Sequence, residues 1–156
     1  MRRLYFAALV LGFVGLFGNR INAQAVAPIP DAISWATAFV NPTLSVIDAA
    51  TGPQPWCHLA RLGLSELAGN GLSIVLKHVI VSQRPCSGCG VDGFPSGHTM
   101  NAALGFSRDW RVGLSLTLGT GILRHEAHRH TNGQILGGAV LGVGAEATGR
   151  LIRCQE

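Results

Sequence analysis

The strongest helical pattern in the chain lies between residues 59 and 81 and reads LARLGLSELAGNGLSIVLKHVIV. Apolar residues recur in it at helical intervals, at positions 59, 62, 67, 74 and 81. Its second half is apolar nearly all round, which predicts a helix that is buried on every side. A long buried helix of this kind indicates a helical domain.

Shorter helical stretches flank this segment, and no stretch of the chain shows the alternation of a surface strand. The fold class is therefore predicted to be all-α, a compact bundle of about five to six helices after an N-terminal signal. The further helices are predicted at residues 32–50, 99–106, 112–124 and 133–150. In the last of these, Gly138, Gly142 and Ala145 form a stripe of small residues that predicts close helix packing.

Prolines and glycines set the predicted breaks between the helices. Two nearby prolines predict an extended leader over residues 26–30. The pair Asn41 and Pro42 predicts that residues 32–50 form two short helices or one helix broken there, because proline disfavours the helix interior. Residues 84–97 are rich in glycine and proline and are predicted to be a loop.

Length, composition and charge restrict the function further. A chain of 156 residues supports one domain. Hydrophobic residues make up 47% and charged residues 13%, whereas a disordered chain shows the opposite balance. The formal net charge is +4, but the basic residues are scattered singly. A nucleic-acid-binding protein clusters them on one face, so no nucleic-acid partner is expected.

The N-terminus has the three parts of a secretory signal. Two arginines precede an apolar run over residues 4–18, and a small-x-small site follows that ends at Ala25. We expect a signal peptide over residues 1–25, a mature domain over residues 26–156, and a periplasmic or secreted protein. The alternative is an uncleaved membrane anchor, although the run is shorter than the ~20 residues of a membrane span.

Export would expose the cysteines to an oxidising compartment. The chain has four of them, Cys57, Cys86, Cys89 and Cys154. They can form two disulfides in any of three pairings. The favoured pairing is Cys86 with Cys89 and Cys57 with Cys154.

A first motif with chemical potential contains Lys77, Arg84 and Pro85. The two cations are about two helical turns apart and would face the same way if the helix continued. Two converging cations suit an oxyanion. The alternative is that they only complement the carbonyl end of the helix dipole.

A second motif, Pro95, Ser96, Gly97 and His98, opens a predicted helix. Backbone amides at a helix N-terminus, a serine hydroxyl and a glycine together form an anion cradle. His98 could donate a proton to a leaving oxygen, because imidazole titrates near neutrality. The alternative is a serine cap beside a surface histidine.

A third motif begins at Arg124 and contains three histidines, His125, His128 and His130. Their spacing is one residue short of the zinc-protease helix motif, and four tetrahedral ligands are not apparent. We therefore expect no metal site, and a solvated charged turn at His125 and His128.

Together, the three motifs resemble those of the type 2 phosphatidic acid phosphatase and vanadium haloperoxidase superfamily. The matching patterns are Lys-x6-Arg-Pro, Pro-Ser-Gly-His and Arg-x5-His, in that order. The resemblance covers about residues 59–150. It implies an all-α core in which helix ends gather these residues around one phosphate.

The resemblance also implies a role for each residue. The phosphate-binding residues would be Lys77, Arg84, Ser96, Gly97 and Arg124. His130 would attack phosphorus to form a phosphohistidine, and His98 would protonate the departing alkoxide and later activate water. Cations stabilise charge on the phosphoryl oxygens, so no metal or other cofactor is expected.

The chain departs from the family at a third catalytic position. The family has an aspartate four residues after the nucleophile, whereas this chain has Gln134. The amide oxygen can still accept the imidazole N–H, but it carries no compensating charge. In addition, Leu123 stands where the family has serine, and the short separation of His98 and Arg124 predicts an open substrate pocket.

The expected function is an exported, metal-independent phosphatase that hydrolyses a phosphomonoester or a lipid (di)phosphate. The apolar composition favours a lipid substrate slightly, and with it contact with a membrane surface. An alternative is a weakened relative that binds phosphate or a phospholipid headgroup without turnover, which Gln134 favours. A third is a vanadate-dependent haloperoxidase, although those enzymes are usually much longer.

Overall fold

The computed structural model describes residues 28–86, 89–106 and 108–154, and this part of the chain is all-α, as predicted. Its five helices are α1 (Pro28–Thr51), α2 (Pro55–Val79), α3 (Gly97–Ala103), α4 (Trp110–Glu126) and α5 (Asn132–Gly149). The expected signal peptide lies outside the described residues. Within these ranges, none of the helices has the length and apolar character needed to cross a bilayer.

The short helix α3 lies at the centre and contacts the other four described helices. Its Met100 side chain and the adjacent Leu104 have no exposed surface, and they pack against Ala145 of α5. The side-chain amide of Asn41 on α1 donates a hydrogen bond to the backbone carbonyl of Ala102, with an N–O distance of 2.8 Å. These contacts fix the position of α3, and with it the first turn of that helix.

The predicted stripe of small residues on α5 is a packing surface. A Cβ atom at Gly142 would overlap the carbonyl oxygen of Met100, and one at Gly138 would overlap the carbonyl oxygen of Ser96. A Cβ atom at Gly69 of α2 would lie 3.1 Å from the Cβ atom of Ala145. The stripe therefore lets α5 approach the backbone of α3 on one side and α2 on another.

Helix α1 differs from its prediction at its first residues and at Pro42. It begins at Pro28, where an extended leader was expected, because proline is tolerated in the first helical turn. It also continues through Pro42, where a break was expected. An internal proline costs ~3 kcal/mol, and the packing of α1 against α3 and α4 offsets that cost.

The prediction that the second half of α2 is buried is wrong. Ile74 is 57% exposed and Val79 is 73% exposed. The buried face of α2 consists instead of Ser65, Gly69 and Ser73, which recur every fourth residue. Because these small residues allow the close approach to α5, the large apolar side chains point away from the contact.

Two disulfides cross-link the described chain, and their pairing is the one that the sequence favoured. Cys57 is bonded to Cys154 and Cys86 to Cys89. The first joins the start of α2 to the chain that follows α5 and closes a sequence separation of 97 residues. In the chain-entropy model, a cross-link over about 100 residues stabilises a fold by roughly 4.7 kcal/mol. The second closes a short loop beside Arg84.

We predict that Gly142→Ala lowers the free energy of unfolding by on the order of 1–3 kcal/mol, because the new methyl group overlaps α3. Gly144→Ala is the matched control on the same helix, since nothing lies within 4 Å of its added Cβ atom. That control should be stabilised by about 0.5–1 kcal/mol, the helical preference of alanine over glycine. Urea unfolding measures both, and equal effects would contradict the packing described.

Candidate functional site

Six of the eight predicted site residues line one cavity with a volume of about 410 Å³. It lies between the start of α1, the end of α2, the start of α3 and the loop after α4. The lining residues are Asp31, Trp35, Lys77, Arg84, Asp92, Gly97, His98, Arg124, Arg129 and His130. Ser96 and Gln134 lie in the layer behind.

A folded-back loop brings Arg124 and His130 together. The backbone carbonyl of Arg124 accepts hydrogen bonds from the N–H groups of Arg129 and His130, at 3.0 Å and 3.3 Å. His128 has a φ angle of 54°, in the left-handed region that a non-glycine residue rarely adopts. This turn reverses the chain at the end of α4, so that the cation and the imidazole line the same cavity.

Lys77 and Arg84 also meet at the cavity, but by a different route from the predicted one. Helix α2 ends at Val79, so the two residues do not share a continuous helix. The chain instead turns back on itself after Ser82. The N–H of Ser82 donates to the carbonyl of Val91, and its own carbonyl accepts from the N–H of Gly93, at 2.9 Å and 2.8 Å. This loop brings Asp92 back beside Ser82, where Asp92 contacts both Lys77 and Arg84.

Asp92 joins these two cations. Its carboxylate lies 3.0 Å from the Arg84 guanidinium, and its backbone carbonyl accepts a 2.8 Å hydrogen bond from the Lys77 ammonium. Burial by itself would raise the pKa of Asp92, but Arg84 and Lys77 lower that pKa below its ordinary value. Burial lowers the pKa of Lys77, which Asp92 partly opposes.

Asp31 is the corresponding anion on the opposite wall. Its carboxylate accepts hydrogen bonds from the guanidinium groups of Arg124 and Arg129. The guanidinium of Arg124, whose side chain is only 3% exposed, also donates to the Ser34 hydroxyl at 3.3 Å. Burial lowers the pKa of Arg124, and Asp31 opposes the shift by stabilising the charge.

Sequence analysis missed four residues of the cavity: Asp31, Trp35, Asp92 and Arg129. Arg129 and Asp92 lie within two or three residues of recognised motifs, so their positions in the chain could have suggested them. Asp31 and Trp35 lie on α1, which had no motif. Only the packing of α1 against α4 brings them to the cavity.

Ser96 has a structural role in the described chain. It is fully buried, and its hydroxyl accepts hydrogen bonds from the N–H of Thr99 and from the Thr99 hydroxyl, at 3.5 Å and 3.0 Å. Its oxygen therefore caps the first turn of α3. Ser96 is not among the residues that line the cavity. Gly97 does line the cavity, and nothing lies within 4 Å of the position of a Cβ atom there.

Gln134 positions His130. Its side-chain oxygen lies 3.1 Å from His130 Nδ1 and accepts the backbone N–H of Thr131 at 3.1 Å. Its nitrogen donates to the Ser82 hydroxyl at 2.8 Å and to the Gln83 carbonyl at 2.7 Å. The Thr131 N–H can only donate and the Gln83 carbonyl can only accept, so the orientation of the amide is determined.

This orientation determines the tautomer of His130. Because the Gln134 oxygen is an acceptor, His130 carries its proton on Nδ1, and the lone pair of the ring is on Nε2. The ring itself is only 2% exposed. Gln134 thus holds the neutral ring of His130 in the tautomer whose unprotonated nitrogen is Nε2, as the amide oxygen was expected to allow.

Both cavity histidines have unusually low pKa values. Burial, and then the charge of Arg124, lower the pKa of His98 and that of His130 from 6.5 to about 4. Both imidazoles are therefore neutral at pH 7. The four cationic side chains of the wall then outnumber its two carboxylates, which leaves an excess of two positive charges.

Three nitrogens of the cavity walls are buried without a hydrogen-bond partner. They are Nε of Arg84, Nε of Arg124 and Nε2 of His98. A buried polar group that lacks a partner costs ~1–3 kcal/mol. These three atoms have almost no accessible surface, so the property of the walls that suits an anion with several oxygens is their excess of positive charge.

Comparison with known proteins adds no relative to this picture: no family model, no curated protein and no solved structure matches the chain. The interpretation of the three motifs and of their shared cavity therefore rests on the residues of this chain alone. In the described part of the chain, no group of three or more histidine, cysteine and acidic side chains is placed to hold a metal ion.

We predict that acid destabilises the protein between pH 6.5 and about 4. In the unfolded chain His98 and His130 bind protons near pH 6.5, whereas in the folded protein they do so only near pH 4. Protons therefore favour the unfolded chain as the pH falls through this window. One pKa unit corresponds to about 1.4 kcal/mol, so the loss should be on the order of 3 kcal/mol from His130, with a smaller part from the partly exposed His98.

Urea unfolding at several pH values measures this loss. The double variant His98→Gln and His130→Gln should lose less stability over the same window than the parent. Identical pH profiles for the two proteins would contradict the assignment.

We predict that Gln134→Glu lowers the free energy of unfolding by about 1–3 kcal/mol. The new carboxylate cannot donate to Ser82 and repels the Gln83 carbonyl. It should also raise the pKa of His130 by stabilising the imidazolium. Urea unfolding and NMR titration of the His130 ring measure the two effects.

Asn132→Asp is the matched control, because it adds the same charge to the exposed first turn of α5. It should be neutral or slightly stabilising at the helix N-terminus. A Gln134→Glu variant as stable as this control would show that the hydrogen bonds to Ser82 and Gln83 are dispensable.

Proposed function

We propose that this protein is an exported phosphatase that hydrolyses a phosphomonoester or a lipid (di)phosphate without a metal ion. The observation that carries the proposal is the meeting of the three cations and the two histidines of the motifs in one cavity with two excess positive charges. A phosphomonoester carries roughly 1.5 to 2 negative charges at neutral pH. Its oxygens would accept charge-assisted hydrogen bonds from the cationic side chains of the wall.

The proposed reaction has two steps. In the first, His130 Nε2 attacks phosphorus, the bond from phosphorus to the leaving oxygen breaks, and His98 supplies the proton that completes the alcohol. In the second, His98 accepts a proton from water, which attacks the phosphohistidine. This step releases inorganic phosphate and returns His130 to its neutral form. Lys77, Arg84 and Arg124 stabilise the phosphoryl oxygens in both steps.

The proton on His98 is linked to the substrate in this scheme. Burial and the surrounding cations lower the pKa of His98 to about 4, which disfavours the protonated form at pH 7. A bound phosphoryl dianion puts negative charge beside the imidazole and raises its pKa. The acid is therefore formed as the substrate binds.

The two disulfides support the exported location. The bonds from Cys57 to Cys154 and from Cys86 to Cys89 leave no free cysteine in the described residues. Disulfides persist in secreted and periplasmic proteins and are rare in the cytosol. They agree with the signal peptide expected over residues 1–25.

A second candidate function is phosphate or headgroup binding without turnover. The observation that favours it is the neutral side-chain amide of Gln134, which makes four hydrogen bonds to its neighbours. Such an amide fixes the ring of His130 but does not stabilise the positive charge that develops on it during attack. In serine proteases, the loss of a comparable carboxylate reduces turnover about ten-thousand-fold.

Hydrolysis of p-nitrophenyl phosphate and of a lipid phosphate by the purified protein, in the presence of a chelator, tests the proposal. We expect turnover that survives chelation, that vanadate inhibits, and that His130→Ala reduces by on the order of a thousandfold or more. The control is His125→Ala, an exposed histidine outside the cavity, which should retain full activity.

The same experiment separates the two candidates. Absence of turnover, together with phosphate binding that depends on Arg84 and Arg124, would reject the phosphatase in favour of the binding protein. Absence of both would reject the cavity as a phosphate site. Activity lost on chelation and restored by a divalent cation would reject the metal-independent mechanism.

A further inference from the structure

Trp35 is the one apolar side chain among the described residues that line the cavity. It lies on α1 one turn after Asp31, and its indole ring meets the His98 imidazole edge-on, with ring centroids 4.2 Å apart and planes at 87°. Despite this contact, 53% of Trp35 is exposed. The indole thus has a packed side against His98 and a free side toward solvent.

The aromatic surface continues outward along α1. Phe39 follows Trp35 by one turn and stacks on it, with centroids 6.0 Å apart and planes at 21°. Phe39 is 45% exposed, whereas the side chain of Asp31, deeper in the cavity, is only 20% exposed. The face of α1 therefore changes from charged to aromatic between the cations and the cavity mouth.

In the proposed reaction, His98 protonates the leaving oxygen, so the alcohol part of the substrate begins beside the His98 ring. The neighbour of that ring on the open side is Trp35. We infer that Trp35 forms the wall of a subsite for the leaving alcohol, and that this subsite selects phosphomonoesters with a flat apolar group next to the reacting oxygen. This inference rests on the proposed function and adds a substrate preference to it.

The physical basis is the contrast between this wall and the others. The remaining lining side chains are charged or are imidazoles, apart from Gly97, and they suit the phosphoryl group. A small hydrophilic alcohol gains little from an indole face, whereas an aromatic ring buries apolar surface on it and adds a favourable ring contact. Phe39 extends the same surface for a longer leaving group.

Benzyl phosphate and ethyl phosphate test the subsite, because both release an alkoxide of similar basicity and differ in the flat ring. We expect kcat/KM for benzyl phosphate to exceed that for ethyl phosphate by about tenfold or more. Trp35→Ala should remove most of this preference, and Trp35→Phe should keep most of it. The control is Trp110→Ala, an equally exposed tryptophan outside the cavity, at 57% exposure.

A reduction by Trp35→Ala that is equal for both substrates would overturn the inference, since it would show that Trp35 only supports His98. An unchanged preference in Trp35→Ala would overturn it as well. Binding of benzylphosphonate and ethylphosphonate, measured by calorimetry, distinguishes this failure from that of the proposed function. A Trp35-dependent preference for benzylphosphonate without turnover of either ester would retain the subsite and reject the phosphatase.

Discussion

The amide of Gln134 is the contact on which the arrangement of the site depends. Its four side-chain hydrogen bonds reach His130 and Thr131 on one side and Ser82 and Gln83 on the other. Its backbone carbonyl accepts the N–H of Ser96 at 2.9 Å. One buried residue thus joins the three segments that carry Arg84, His98 and His130. Removing the donor half of the amide would leave two partly buried acceptors unpaired, which is more costly than losing a fully exposed hydrogen bond.

The close approach of backbones around Gln134 and α3 requires glycine at several positions of the chain. A Cβ atom at Gly93 would overlap the Gln134 amide nitrogen, and one at Gly142 would overlap the carbonyl of Met100. Small side chains therefore take the buried faces, while large apolar ones such as Ile74 and Val79 are left on the outside. This close packing also brings the ends of four helices to a single cavity.

The electrostatics of the cavity depend on how its cations are paired with aspartates as well as on the number of cations. Asp31 and Asp92 each bind two cationic groups of the wall, and they stabilise those charges in a partly buried position. Two positive charges remain in excess, and both histidines are kept neutral. An excess of positive charge beside neutral imidazoles suits a dianion. A carboxylate at position 134 would have altered this balance of charges.

The sequence by itself determined the helical class, the approximate helix positions and the close-packed stripe on α5, because these depend on local periodicity and short spacings. Six residues of the cavity followed from three short motifs and from their resemblance to those of a known family. The sequence could also suggest the disulfide pairing and the contact between His130 and Gln134, which are four residues apart on one turn. Tertiary structure alone decided which faces of α2 are buried, the capping role of Ser96, the return of Asp92 to Lys77 and Arg84 by a loop, and the presence of Asp31 and Trp35 at the site. Those features depend on which helices pack together, and contacts between residues up to 98 positions apart leave no local pattern in the chain.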